Sequence, residues 1–246
     1  MNPQAYIEMA ETEARHWWFV GRRAITSTLI SQLQLPPESR ILEIGSGTGG
    51  NLEMLSGFGQ TCAMELDEVA REIAIGKTGG RFTIKAGRCP DQIPYNGEKF
   101  DLICLFDVLE HIQEDQETLN ALGPLLKPNG RIIITVPANP WMWSSHDVHL
   151  HHIRRYTAAN LKLKIERAGL HATRLSHFNT LLFPLAIAAR IKDRLTGNPT
   201  ASGTAIPGAL INKAMSHIFG AERHFVRRAS LPFGISLLAI LEAKQS

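Results

Sequence analysis

ILEIGSGTGG, residues 41–50, is a short apolar run that breaks into glycines, and its reading decides the fold. Ile41 to Ile44 read as a strand. Gly45, Gly47, Gly49 and Gly50 then make a turn in which glycine supplies positive φ and close backbone approach. NLEMLSGF continues as a helix, so the stretch is strand, glycine turn, helix.

The same alternation repeats on the C-terminal side. QTCAMEL reads as a second strand, and DEVAREIAIGK as a helix with Asp67 as its N-cap. RFTIKAG is a third strand. FDLICLF, nearly all apolar, is a fourth, as expected of a strand buried on both faces. ETLNALGPLL is a helix that KPNG ends, and RIIITVP is a fifth strand. Strands and helices alternating at this spacing predict a doubly wound, mostly parallel α/β sheet. Ligands in such sheets lie at the carboxyl ends of the strands.

On the N-terminal side, residues 1–36 read as a helical cap with HWWF inside it. Residues 37–183 form the core, 184–229 an insertion of one or two amphipathic helices, and 230–246 the final strand. All belong to a single domain.

The chain has 246 residues, 44% of them hydrophobic and 20% charged, as in an ordinary globular domain. Cys62, Cys89 and Cys104 show neither pairing nor metal spacing, which suits a reducing cytoplasm. No basic-then-apolar leader opens the sequence, and no apolar run reaches the roughly 18 residues of a spanning helix. Charge is divided unevenly. Residues 1–150 carry 12 Lys/Arg against 19 Asp/Glu, and residues 151–246 carry 14 against 4. A basic C-terminal third points to an anionic partner, whether a phosphorylated or carboxylated substrate, anionic lipid at the inner membrane face or nucleic acid, with a solvated face as the competing reading.

A glycine turn after the first strand leaves two cofactor classes open, dinucleotides and S-adenosylmethionine. Glu43, two residues before Gly45, suits a sulfonium ligand that carries an ammonium group better than a pyrophosphate. Glu65, at the end of the second strand, can accept both ribose hydroxyls in either class. Glu43, Gly45, Gly47 and Gly49, then Glu65, FDLICLFDVLEHI and LLKPNGRIIITVP, occur in that order. Together they resemble the class I S-adenosylmethionine-dependent methyltransferases, in particular the small-molecule branch, over residues 40–137.

The resemblance implies a seven-stranded sheet whose last strand is antiparallel. It implies S-adenosylmethionine as cofactor, with Gly45, Ser46, Gly47 and Gly49 facing its methionine part and Glu65 its ribose. Leu66 would lie alongside, and Asp107 by the methionine ammonium or the reacting centre. One departure stands out: Gly87-Arg88 replaces the Gly-Asp common in the family. Adenine would then be held by backbone groups around Arg88 and Cys89, or by another side chain.

Displacement at a sulfonium needs alignment first, and a base only where the acceptor must lose a proton. Asp107, Glu110 and His111 fall at i, i+3 and i+4 if helical, which leaves a divalent ion open there. The alternative is a structural turn with His111 bonded to backbone, and no metal is assigned. In HDVHLHHIRRYT, residues 146–157, extended alternation would put Asp147, His149 and His151 on one face. The spacing fits no common zinc motif. His149 or His146 is the expected base, alongside His111. His151, Arg154, Arg155 and Tyr156 are expected to bind the acceptor. The resemblance suggests that Trp17 and Trp18 close over it as a lid, with Arg22 or Arg23 adding to an anion site and core packing as the competing reading.

The function expected is methyl transfer to oxygen of a small, anionic or lipid-linked acceptor. An NAD-dependent oxidoreductase and a non-catalytic binding protein are the rivals. No Asn/Asp-Pro-Pro-aromatic motif follows strand four, so a nucleic-acid partner is not expected. The sequence leaves the oligomeric state open.

Overall fold

The computed structural model describes residues 3–196 and 206–244. In chain order these form α1 (Pro3–Thr12), α2 (Trp17–Gln32), β1 (Arg40–Ile44), α3 (Leu52–Ser56), β2 (Gln60–Glu65) and α4 (Glu68–Lys77). There follow β3 (Thr83–Ala86), β4 (Phe100–Phe106), α5 (Asp115–Leu122), β5 (Leu126–Pro137), α6 (Ser145–His149) and α7 (Ala158–Arg167). The chain ends with β6 (Leu170–Phe178), α8 (Phe183–Thr196), α9 (Ala209–Ala221), α10 (Arg223–Val226) and β7 (Ser236–Ala243).

The strands form one seven-stranded sheet in the order β3-β2-β1-β4-β5-β7-β6. The first five pair in parallel, and β7 runs antiparallel between β5 and β6. Successive strand residues point to opposite faces, which divides the core in two. Leu42, Ile103 and Ile132 pack with Leu119 and Leu161 on one face. Ile41, Leu102 and Ile133 pack with Ile25, Leu29 and Phe219 on the other. The strand order reverses between β1 and β4, so the turns after these two strands meet. A Cβ on Gly45 would lie 2.7 Å from Val108 Cγ2. That is the switch point where such sheets bind ligands.

The N-terminal helical cap consists of two helices, the second started by the His16 ring, which accepts from Trp18 N at 3.2 Å. Two sequence expectations change. KPNG does not simply end a helix but lies within β5. The insertion holds three helices among the described residues, and its stretch 197–205 lies outside them. No helix among the described residues is long and apolar enough to cross a membrane.

Candidate active site

The glycine turn is built by backbone conformation. Gly45, Gly47 and Gly49 all take positive φ, at 68°, 53° and 80°, where a side chain would be strained. Glu65 closes on this turn from the neighbouring strand. Its Oε2 accepts from Gly47 N at 2.7 Å and its Oε1 from Asp67 N at 2.9 Å. A carboxylate has about four acceptor positions, so lone pairs remain for a ligand. Leu66 beside it is 63% exposed, an apolar surface at the mouth of the turn.

Polar atoms around the turn lack partners. Ser46 Oγ, Glu43 Oε2 and Arg22 Nε are buried with no hydrogen-bond partner among the described residues. Buried polar groups are normally satisfied, so this set fits a polar ligand. Burial raises the Glu43 carboxyl to about 8, while Asn51 Nδ2 donates to its Oε1 at 2.7 Å and opposes the rise.

Asp107 follows β4 with a φ of 56°. Its Oδ1 accepts from Thr135 Oγ1 at 3.0 Å, and its Oδ2 from Arg22. Arg22 is only 6% exposed and lies over the Phe19 and Phe106 rings. The structure thus directs Arg22 to Asp107, not to an external anion. Trp17 and Trp18 pack inward: Trp18 stacks on Phe219 at 5.2 Å between centroids, and Trp17 meets the same ring edge-on at 5.8 Å. The competing core reading of HWWF therefore describes these two rings.

No local signal in the sequence marks what covers the glycine turn. A Cβ on Gly47 would lie 3.3 Å from Met9 Cε, and one on Gly50 would meet Glu13 Oε2 at 2.1 Å. Glu13 accepts from Thr48 Oγ1 at 2.8 Å and pairs with Lys77. Burial, then Glu65 and Asp67, raise the Tyr6 phenol. The end of α1 therefore rests on the turn.

Arg88 departs from its expected role. Its amide donates to Gln92 O at 3.0 Å and its guanidinium pairs with Asp91 at 2.9 Å, so neither is aimed at a ligand. The Cys89 side chain is buried in the core.

HDVHLHHIRRYT is not extended. Asp147 Oδ2 accepts from the Ser144 amide at 2.9 Å and hydroxyl at 3.2 Å, which starts α6. The turn leaves His149 and His151 exposed and His146 half-buried, and it buries Asp147 completely. Arg155 Nε donates to Asp147 Oδ1 at 2.7 Å and its Nη1 to Ala138 O at 3.0 Å. Arg154 pairs with Asp115 at 2.7 Å and donates to Gln113 O at 3.0 Å. Tyr156 OH donates to Asp115 Oδ2 at 2.9 Å, and the ring is 1% exposed. The expected anion clamp is thus replaced by two internal ion-pair hubs. Burial acts to raise both hub carboxyls. Donors outweigh it, holding Asp147 well below the carboxylate range through His152 and Arg155, and Asp115 lower through Lys164, Arg154 and Tyr156.

The i, i+3, i+4 cluster also changes. Leu109–His111 is a single 3₁₀ turn, so Asp107 points to Arg22 while Glu110 and His111 point elsewhere. His111 Nδ1 lies 3.3 Å from His151 O, the backbone bond of the structural-turn reading. Its ring meets His152 at 4.9 Å between centroids, a neighbour the sequence did not single out.

Comparison with known proteins gives a consistent result. A family model described as "Methyltransferase domain" matches residues 15–175. The ubiquinone/menaquinone biosynthesis C-methyltransferase of Geotalea daltonii is 26% identical over 149 residues, 54% of this chain and 63% of that protein. The chain thus spans less than two thirds of that relative's length. In the solved complex between the Haloferax volcanii Trm112 methyltransferase activator and a methyltransferase, one chain superposes with a TM-score of 0.65 at 17% identity. That match covers 99% of this chain and 95% of the other. Haemonchus contortus phosphoethanolamine N-methyltransferase 2, solved with S-adenosyl-L-methionine, gives 0.58 at 15% identity over 89% of this chain and 52% of its own. At such identities the solved structures speak to the fold alone.

Proposed function

The chain belongs to the methyltransferase-domain family that its residues 15–175 match, and from that premise we propose that it transfers a methyl group from S-adenosylmethionine to oxygen of a small, anionic or lipid-linked acceptor. The observation that carries this is the Glu65 carboxylate held against Gly47 N at the β1/β4 switch point. When bound, S-adenosylmethionine supplies an activated methyl on a sulfonium.

The chain's own residues do the rest. Glu65 takes the ribose hydroxyls and Leu66 flanks them. Gly45 to Gly49 allow close backbone approach, while Ser46 and Glu43 offer unpartnered polar atoms to the amino-acid end. Asp107, tied to Thr135 and Arg22, is held in one orientation beside Gly45 and Val108. Fixing groups in this way is where an alignment-limited displacement gains most of its rate. His149 and His146 are the bases of this proposal, because His111 is drawn inward toward His152.

The anionic, lipid-linked character of the acceptor rests on charge and exposed apolar surface. The last 96 residues are strongly basic. Leu185, Leu195, Leu210 and Ile211 of α8 and α9 are 59%, 81%, 85% and 59% exposed, a combination that suits an anionic membrane surface.

The test is incubation with methyl-labelled S-adenosylmethionine and a panel of phenolic, carboxylate and lipid-linked acceptors, with the methylated atom located by mass spectrometry. Label on oxygen of an anionic acceptor is expected. Label on carbon or nitrogen would overturn the oxygen assignment, and S-adenosylhomocysteine formation no higher than without acceptor would overturn turnover of this acceptor class.

A further inference from the structure

We infer that Glu110, His111 and His152 form a binding site for one transition-metal dication of the zinc class. One ligand atom from each residue lies within 4.8 Å of the others. Glu110 is 0% exposed, and neither carboxyl oxygen has a hydrogen-bond partner outside its own residue. His152 Nε2 lies 3.9 Å from its Oε1.

The outer contacts of both rings fix which nitrogens face inward. His152 Nδ1 lies 2.9 Å from Asp147 Oδ1, and His111 Nδ1 lies 3.3 Å from the His151 carbonyl. A carbonyl only accepts, so the His111 proton sits on Nδ1. An ionised Asp147, itself held by Arg155, fixes the same tautomer on His152. Both Nε2 lone pairs then face inward with the Glu110 carboxylate. Three acceptors converging in a buried space call for a cation.

Among the described residues no cationic side chain fills that place. Arg22 and Arg155 act on Glu110 only through space, and each is already paired, with Asp107 and Asp147.

The surrounding shell has the form that metal sites use. Ligating histidines donate their other ring N–H to a carboxylate or carbonyl, which fixes the ring and raises its basicity. Two imidazoles and a carboxylate select a borderline transition metal over Mg²⁺ or Ca²⁺. Tetrahedral zinc with bonds of about 2.1 Å would set its ligands roughly 3.4 Å apart, so the three side chains need to close by about an ångström. Three protein ligands leave a fourth position open. An acceptor hydroxyl or carboxylate can occupy it.

Cation binding does not depend on the methyl-transfer reading and is measured without a methyl donor. Untagged protein stripped with a chelator would be titrated with Zn(II) by calorimetry and with Co(II) by visible absorption. We expect one equivalent of each and d–d bands from Co(II). The affinity should fall by roughly tenfold or more in both His152→Ala and His111→Ala, with circular dichroism confirming that each is folded. If His152→Ala does not fold, His111→Ala decides, because its Nδ1 faces a backbone carbonyl and not the buried Asp147. Absence of stoichiometric binding to the wild-type chain overturns the site, as does unchanged affinity in a folded variant.

Discussion

Glu43 shows at residue scale how a carboxyl that the sequence marks as a ligand group behaves before any ligand is considered. Burial raises it to about 8. A carboxyl whose pKa is higher folded than unfolded binds its proton more tightly in the fold. Its contribution is therefore most favourable below about 4.5 and is lost as pH rises toward 8, at about 1.4 kcal/mol per pH unit. Glu43→Gln removes that titration and keeps a carbonyl for Asn51. Urea unfolding should find variant and wild type closest at pH 5 and the variant the more stable at pH 8. A gap that does not widen with pH would show that Glu43 is ionised in the fold. The positions of Glu43, Gly45 and Glu65 were legible because strand ends and glycine turns leave local marks. Arg22–Asp107 was not, because its partners are 85 residues apart. Asp115 likewise gathers Arg154, Tyr156 and Lys164 from beyond the next strand.

The elements were misread where a short helix replaced an expected extended segment. Alternation along residues 146–152 assigns His149 and His151 to one side with Asp147. The one-turn α6 and a left-handed His151, at φ 57°, bring His152 to Asp147 instead. The Ser144/Asp147 cap is a local signal that could have revealed the helix. In α2 the aromatic run is explained by α9. Phe219 fills the space over Gly21, where a Cβ would lie 2.3 Å from its ring. Gly21→Ala should therefore cost about 1–3 kcal/mol by overpacking, despite the better helix propensity of alanine. Denaturant midpoints would check this, and a stabilised variant would mean that α9 shifts freely on α2.

For the whole molecule, the parallel core was legible because each strand and helix carries its own period. The antiparallel direction of β7 was legible only through the family resemblance, and its place between β5 and β6 leaves no local mark. The uneven charge is a property of the whole chain. Anionic vesicles should sediment the protein and neutral ones should not, with the effect fading as salt shortens the roughly 10 Å screening length at 0.1 M. Equal sedimentation with both would remove charge from the account.

The central claim concerns the Glu65–glycine turn, and calorimetric titration with S-adenosylhomocysteine tests it most directly, with NAD as comparator and Glu65→Ala as control. We expect binding of S-adenosylhomocysteine but not of NAD, weakened in Glu65→Ala by about 1.5–3 kcal/mol, the range for hydrogen bonds to a charged group. Absence of binding, or binding unchanged in Glu65→Ala, would contradict the assignment of this turn as the cofactor site.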